Sequence, residues 1–228
     1  MKQLTSVGVR MGLLFFGVFV LCASTGFAWQ RSSNCIEGNG KTATQQRSLS
    51  DYEQIAVQGA YTLTITSGNA YHFLLRGDSN LLKHVVTRVD SGKLRIGNDE
   101  SLCMKQPLEI EIKVPHLTSF YAEGAHEVTI ENIDEPSLDL GLVGASSAMT
   151  QGTVKTLKLQ ISGTSMLDAL KMSANSVTVD ASGTSLAKIQ VAGPLSVTAS
   201  GICEVLYAGP PTSITADLCG LAEVSPID

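Results

Sequence analysis

"QISGTSML" (160–167), "DASGTSLA" (180–187) and "TASGICEV" (198–205) are copies of one text, and their recurrence decides the fold. Their glycines belong to a longer series, Gly124, Gly144, Gly163, Gly183, Gly201 and Gly220, spaced by 20, 19, 20, 18 and 19 residues. A fixed period of this length predicts a solenoid in which each repeat is one turn of a coil.

Strand side chains alternate between faces, so a coil of strands needs one apolar face at period two. The positions six, four and two before each glycine and four after it give 24 slots, and 23 are apolar, Thr118 being the exception. Of the 18 intervening slots five, three and one before the glycine, only Tyr121, Val143 and Cys219 are apolar. This contrast predicts strands with an apolar interior and a Ser/Thr/Asp/Gln exterior. Nineteen residues are too few for a strand plus a packed helix, and the Leu and Asn ladder of leucine-rich repeats is missing. Each turn is therefore two or three short strands joined by corners and stacked about 4.8 Å above the last. The glycine column, including Gly59, lets the chain adopt positive φ or lets successive turns approach closely.

The text occurs once earlier, where "IAVQGAYTLTI" (55–65) aligns with "FYAEGAHEVTI" (120–130) at an offset of 65. A first turn thus begins near Tyr52, and residues 66–116 are an excursion from it. That excursion reads as a strand (Tyr71–Leu75), a short helical turn around Leu81 and Leu82, and a hairpin turning at Asp90-Ser91-Gly92. A further strand, "LEIEIKV" (108–114), buries Leu108, Ile110, Ile112 and Val114. The excursion is expected to cap one end of the stack against edge pairing.

Composition agrees with an all-β solenoid of about six to seven turns. The chain has 228 residues, 21 of them Gly, with 5% aromatic and 16% charged. Residues 1–28 read as a secretory signal peptide: Lys2 and Arg10, then an apolar run from Met11 to Ala23, then Gly26-Phe27-Ala28. A retained anchor is the alternative. Leu21 before Cys22 is the wrong residue for a lipidated cysteine. Residues 29–228 are expected to form one domain, divided into an arm (29–51), the first turn with its cap (52–116) and the regular coils (117–228), with no membrane span in the mature chain. Loss of the leader leaves 14 basic and 21 acidic residues, a net charge of −7 that disfavours nucleic acid and other polyanions.

Four cysteines then remain, enough for two disulfides in an exported chain. Cys203 and Cys219 point to opposite faces about 10 Å apart, beyond disulfide reach unless a corner intervenes. Cys35 with Cys103 is the better pair, joining the arm to the excursion.

"GNGKTATQQRSLSDYEQIAVQGAYTLTITSG" (38–68), "GDSNLLKHVVTRVDSGKLRI" (77–96) and "IEIKVPHLTSFYAEGAHEVTI" (110–130), followed by the Gly-Ser/Thr turns, resemble the bacterial head GIN domain family of auto-transporter adhesin-like proteins. The resemblance spans about residues 38–222. It implies an exported β-helix-like fold and brings no agreed catalytic residues. Unlike a true autotransporter, the chain shows nothing after Gly220 to build a membrane-spanning barrel.

Chemistry-bearing residues are sparse. His72, His84, His116 and His126 lack metal-ligand spacing, and no cofactor motif is present. Glu204 and Glu223 both lie three after their glycine on adjacent turns, a weak cation site whose bland reading is two solvated carboxylates. Asp180 and Asp217 share an outward column two turns apart with Thr198 between them, about 9.6 Å, a spacing similar to that of an inverting glycosidase. The bland reading is a polar outer face. Ser162, Ser182 and Ser200 form a ladder with no histidine placed to activate it. Two functions follow: a non-catalytic exported module contacting polysaccharide or an envelope or surface protein, or a small polysaccharide-active enzyme using Asp180 and Asp217.

Overall fold

Apolar and polar residues alternate almost without interruption, and the chain answers with strands. The computed structural model describes residues 34–227, so the leader expected at 1–28 lies outside the described residues. The chain runs β1 (Ile36–Glu37), β2 (Thr42–Gln46), β3 (Gln54–Ser67), β4 (His72–Asp78), a 3-10 turn (Leu82–His84), β5 (Val85–Asp90), β6 (Lys93–Asn98), β7 (Leu102–Cys103) and β8 (Glu109–Val114). It continues as β9 (Ser119–Gly144), β10 (Ser147–Gly163), β11 (Met166–Val191), β12 (Pro194–Ala208), β13 (Ser213–Gly220) and β14 (Glu223–Pro226). The fold of the described residues is all-β.

One ladder joins these strands in the order β13-β12-β11-β10-β9-β3-β8-β4-β2. From β3 to β13 every pairing is parallel. β3 pairs with β9 at the offset of 65, Gly59 facing Gly124. Gly144 faces Gly163, and Gly201 faces both Gly183 and Gly220. The uneven period has a local cause. β9 and β10 change register between Thr150 and Gly152, and β10 and β11 between Met149 and Gln151, so one extra residue is absorbed in a bulge while the columns on either side stay aligned.

The inward columns are the core. Leu157, Leu159 and Ile161, and above them Val177, Val179 and Ala181, are at most 4% exposed. Burying each Leu, Ile or Val contributes about 1.5–3 kcal/mol. The aromatic core residues Tyr52, Phe73 and Phe120 all lie toward the β3 end of the ladder.

On its side away from β9, β3 pairs in parallel with β6 and β8. β5 is antiparallel to β6, β4 to β8, and β2 to β4. In the β5–β6 hairpin Ser91 and Gly92 have φ of 51° and 76°, the two positive values that a tight I′ turn needs. Arg47 ties the segment after β2 to this region, donating to the Thr87 hydroxyl at 3.0 Å and the Leu82 carbonyl at 2.9 Å. A disulfide joins Cys35 to Cys103, with Cα atoms 5.6 Å apart.

The inward face of the last repeat departs from the expectation of burial. Ile214 and Leu218 are 43% and 40% exposed, whereas Leu195 and Ala199, one rung below, are 1% and 2% exposed. β13 is the end of the ladder, and among the described residues no further strand lies over it. The alternation is correct, but the covering layer is missing.

Candidate functional site

Two residues after each glycine the chain turns a corner, and the side chain there faces inward. The column opens with the rings of Tyr61 and His126 and continues with small groups, the hydroxyls of Ser146, Ser165 and Ser185 and the thiol of Cys203, all buried. Each of the polar ones finds a partner on its own rung or an adjacent one. Ser146 Oγ donates to the Gly124 carbonyl at 3.3 Å, and Ser165 Oγ to that of Gly144 at 3.3 Å. Ser185 Oγ lies 3.3 Å from Cys203 Sγ, which in turn donates to the Ser200 carbonyl at 3.2 Å. His126 Nε2 bonds the Glu123 carbonyl at 3.1 Å, and desolvation holds its imidazole below the usual histidine range. Sequence reasoning singled out Ser162, Ser182 and Ser200 instead, which stand half-buried or exposed one residue before the glycine. The signal available was the Ser recurring two after Gly144, Gly163 and Gly183.

This buried column floors an open groove of about 710 Å³. Its lining also includes Thr164, Thr184 and Ile202, each one residue after its glycine, and Ser147, Met166 and Leu186, each three after. Glu204 and Glu223 lie at one end of it, paired on adjacent rungs as their spacing required. Among the described residues no group of three His, Cys, Asp or Glu is placed to hold a metal ion, so the two carboxylates have no third ligand of that kind.

A second, smaller concavity of about 390 Å³ lies on the outward face before the glycines. Tyr121 is its most distinctive residue. A Cβ built on Gly141 would meet Tyr121 Cδ2 at 2.4 Å and Cε2 at 3.1 Å, so the ring packs against the one side-chain-free position in its column. Tyr121 is 36% exposed. Around it stand Asp139, Lys158, Gln160, Thr178 and Asp180, with Lys158 facing Asp139 across one rung. Asp180 faces Thr198, and Thr198 faces Asp217, so the two carboxylates are two rungs apart, about 9.6 Å. Asp217 belongs to exposed β13 and does not line the concavity. Sequence reasoning missed the aromatic platform, although Tyr121 and Gly141 both lie three before a glycine, on consecutive turns.

The remaining titratable groups are structural. Asp78, fully buried, accepts N–H bonds from Gly40 at 2.6 Å, Lys105 at 2.8 Å and Gln106 at 2.9 Å. Desolvation raises its pKa, but these three donors outweigh it and hold the carboxyl below the usual range. His116 and His84 pair with Glu135 and Asp99, each at 3.0 Å. Cys203 and Cys219 are free thiols, the first buried and the second exposed.

A family model described as "Putative auto-transporter adhesin, head GIN domain" matches residues 51–211. The chain belongs to this family. As a head GIN domain protein it is similar in fold to a putative adhesin of Bacteroides fragilis, with 18% identity and a TM-score of 0.66 over 84% of this chain and 100% of that one. A putative adhesin of Parabacteroides merdae gives 15% identity and a TM-score of 0.53 over 85% and 99% of the two chains. A structure described as a putative lipid binding protein, from Parabacteroides distasonis, gives 18% and 0.52 over the same shares. A search of curated proteins gives no significant match. At these identities the likeness is one of fold, and the family's name is that of adhesins rather than of any enzyme.

Proposed function

We propose that this head GIN domain protein is an exported, non-catalytic β-solenoid that binds polysaccharide of an envelope or cell surface along its outward face. The solenoid reading rests on parallel pairing at successive offsets of 18–20 residues, which returns the chain to the same column once per turn. In this reading residues 1–28 are a cleaved leader, 29–51 an arm, 52–116 the first turn with a cap over one end, and 117–228 the regular coils. Export also agrees with the adhesin family and with the disulfide. No helix of the described residues is long and apolar enough to cross a membrane.

The observation that carries the binding reading is Tyr121, partly exposed, packed against Gly141 and flanked by Asp139, Lys158, Gln160 and Asp180. A sugar ring offers apolar C–H faces and a rim of hydroxyls. A flat exposed aromatic ring meets the first, and short polar side chains repeating about every 4.8 Å meet the second. Strand-borne side chains of this kind keep their positions as a linear ligand lies across several rungs.

A glycan array read together with a turnover assay tests the reading. Binding without hydrolysis, weakened about tenfold by Tyr121→Ala, is the expected result. The competing reading, a glycosidase, draws on the spacing of Asp180 and Asp217. Hydrolysis abolished by Asp180→Asn would establish that reading and reject the first.

A further inference from the structure

The two ends of the ladder are finished differently. Beyond β3, strands β4, β5, β6 and β8 bury Phe73, Leu75, Ile96, Ile110 and Ile112 to 3% exposure or less. The far strand of that end, β2, is Thr42-Ala43-Thr44-Gln45-Gln46, polar along most of its length. At the opposite end β13 is exposed at all eight positions and turns Ile214, Ala216 and Leu218 toward the continuation of the core. Leu221, just past the corner, is 76% exposed. An open parallel edge with an apolar face is the feature that β proteins ordinarily blunt with lysine, proline or a bulge. Between Ser213 and Gly220 none of these is present.

We infer that β13 is a homodimer interface, pairing antiparallel with β13 of a second copy about a two-fold axis at Ala216. The occupant follows from the strand's own sequence. In an antiparallel pair centred on Ala216, Ile214 stands opposite Leu218 of the second copy and Leu218 opposite Ile214. The apolar positions therefore meet on one face, and the two cores become continuous. Asp217 is the single charged residue of β13. The same register sets it opposite Thr215, so the two carboxylates never face each other, as they would in a pairing centred on Asp217. Ser213 falls opposite Cys219. With a net charge of −7 on each mature chain, an association through a nearly uncharged end avoids most of the repulsion between copies.

A head-to-tail filament needs β13 to meet the other edge of the ladder. The edges at that end are β2, polar along most of its length, and β5, whose exposed face carries Arg88 and Asp90; both pair antiparallel on their inner side and neither offers an unbroken apolar face. The self-complementary contact closes on itself instead, giving a dimer. The larger groove, which already includes Leu221 and Glu223 at this end, runs toward the junction.

Sedimentation equilibrium of the full mature chain, up to a concentration on the order of 1 mM, reads the association. The expected result is a reversible dimer whose dissociation constant rises about 100-fold or more in Leu218→Asp. That side chain is already 40% exposed, so circular dichroism of the variant should be unchanged. A monomer throughout, an open-ended polymer, or a dimer indifferent to Leu218→Asp overturns the proposal. Ser213→Cys tests the register. On air oxidation with a copper catalyst it should link two copies between position 213 of one and Cys219 of the other, and the added change Cys219→Ser should abolish the link. Within one chain the two positions are six residues apart along an extended strand, about 20 Å, so they cannot bridge internally. Linkage of the unaltered chain through two Cys219 thiols, or no linkage in the Ser213→Cys variant, overturns the Ala216-centred register.

Discussion

The Tyr61 ring stacks on the imidazole of His126, with centroids 5.8 Å apart and 15° between the planes. These residues occupy the same corner column on adjacent rungs, two after Gly59 and Gly124. The stack closes the β3 end of a column that continues upward as serines. It also removes His126 from water, which is why desolvation lowers the imidazole pKa.

A lowered histidine pKa makes stability depend on pH with a definite sign. The unfolded chain takes up a proton near the usual 6.5, while the folded chain resists it. The contribution is therefore fully present above 6.5 and is lost as pH falls from 6.5 toward the folded value. The melting temperature should decline between about pH 6.5 and pH 5, and His126→Phe, which keeps a ring against Tyr61, should flatten the decline. An unchanged slope in the variant would place the titration elsewhere.

Asp78 governs a separate, more acidic window. Its depressed carboxyl pKa contributes stability that is present above the ordinary value of 3.8 and is lost as pH falls through the folded value. Asp78→Ala strands the N–H groups of Gly40, Lys105 and Gln106 and should lower the melting temperature more than Asp90→Ala at the exposed hairpin. Hydrogen exchange should rise first at those three amides. Equal melting temperatures for the two variants would contradict this.

Gly183 has a φ of +84°, and a Cβ added to it would sit 2.6 Å from the Gly163 carbonyl oxygen. Gly183→Val should destabilise by about 2–4 kcal/mol from strain and collision together. Ser182→Val, one residue away, should cost about 0.5 kcal/mol or less. Urea unfolding of the two variants measures the difference.

Cys35 and Cys103 close a loop across a sequence separation of 68 residues. Intact mass before and after reduction should differ by two hydrogens, and among the described cysteines Cys219 should alkylate without reductant in the folded chain and buried Cys203 only after denaturation. Cys103→Ser should lower stability by about 2–4 kcal/mol, chiefly by freeing the unfolded chain. A mass unchanged by reduction would refute the bridge.

Much of the ladder was legible in the alternation around six glycines, since side-chain direction along a strand is a local property. The 65-residue offset between Gly59 and Gly124 was legible for the same reason, because matching text marks matching columns. The candidate site was less so. The Asp180–Asp217 and Glu204–Glu223 relationships followed from register, whereas the Tyr121 platform depended on how a ring folds over a neighbouring rung. The polar corner column was hidden because a serine two after a glycine reads as surface until the corner beside it is seen to close.

By itself, then, the sequence determined which residues share a face and which share a column, because period two and a repeat of 18–20 residues translate directly into direction and register. Only the tertiary structure decided which of those faces are covered. Ala199 and Leu218 occupy one inward column on adjacent rungs, yet the first is 2% exposed and the second 40%, because burial depends on what lies above a strand and not on the strand. The same dependence sealed Ser165 away from solvent, left Tyr121 partly exposed, and left β13 open.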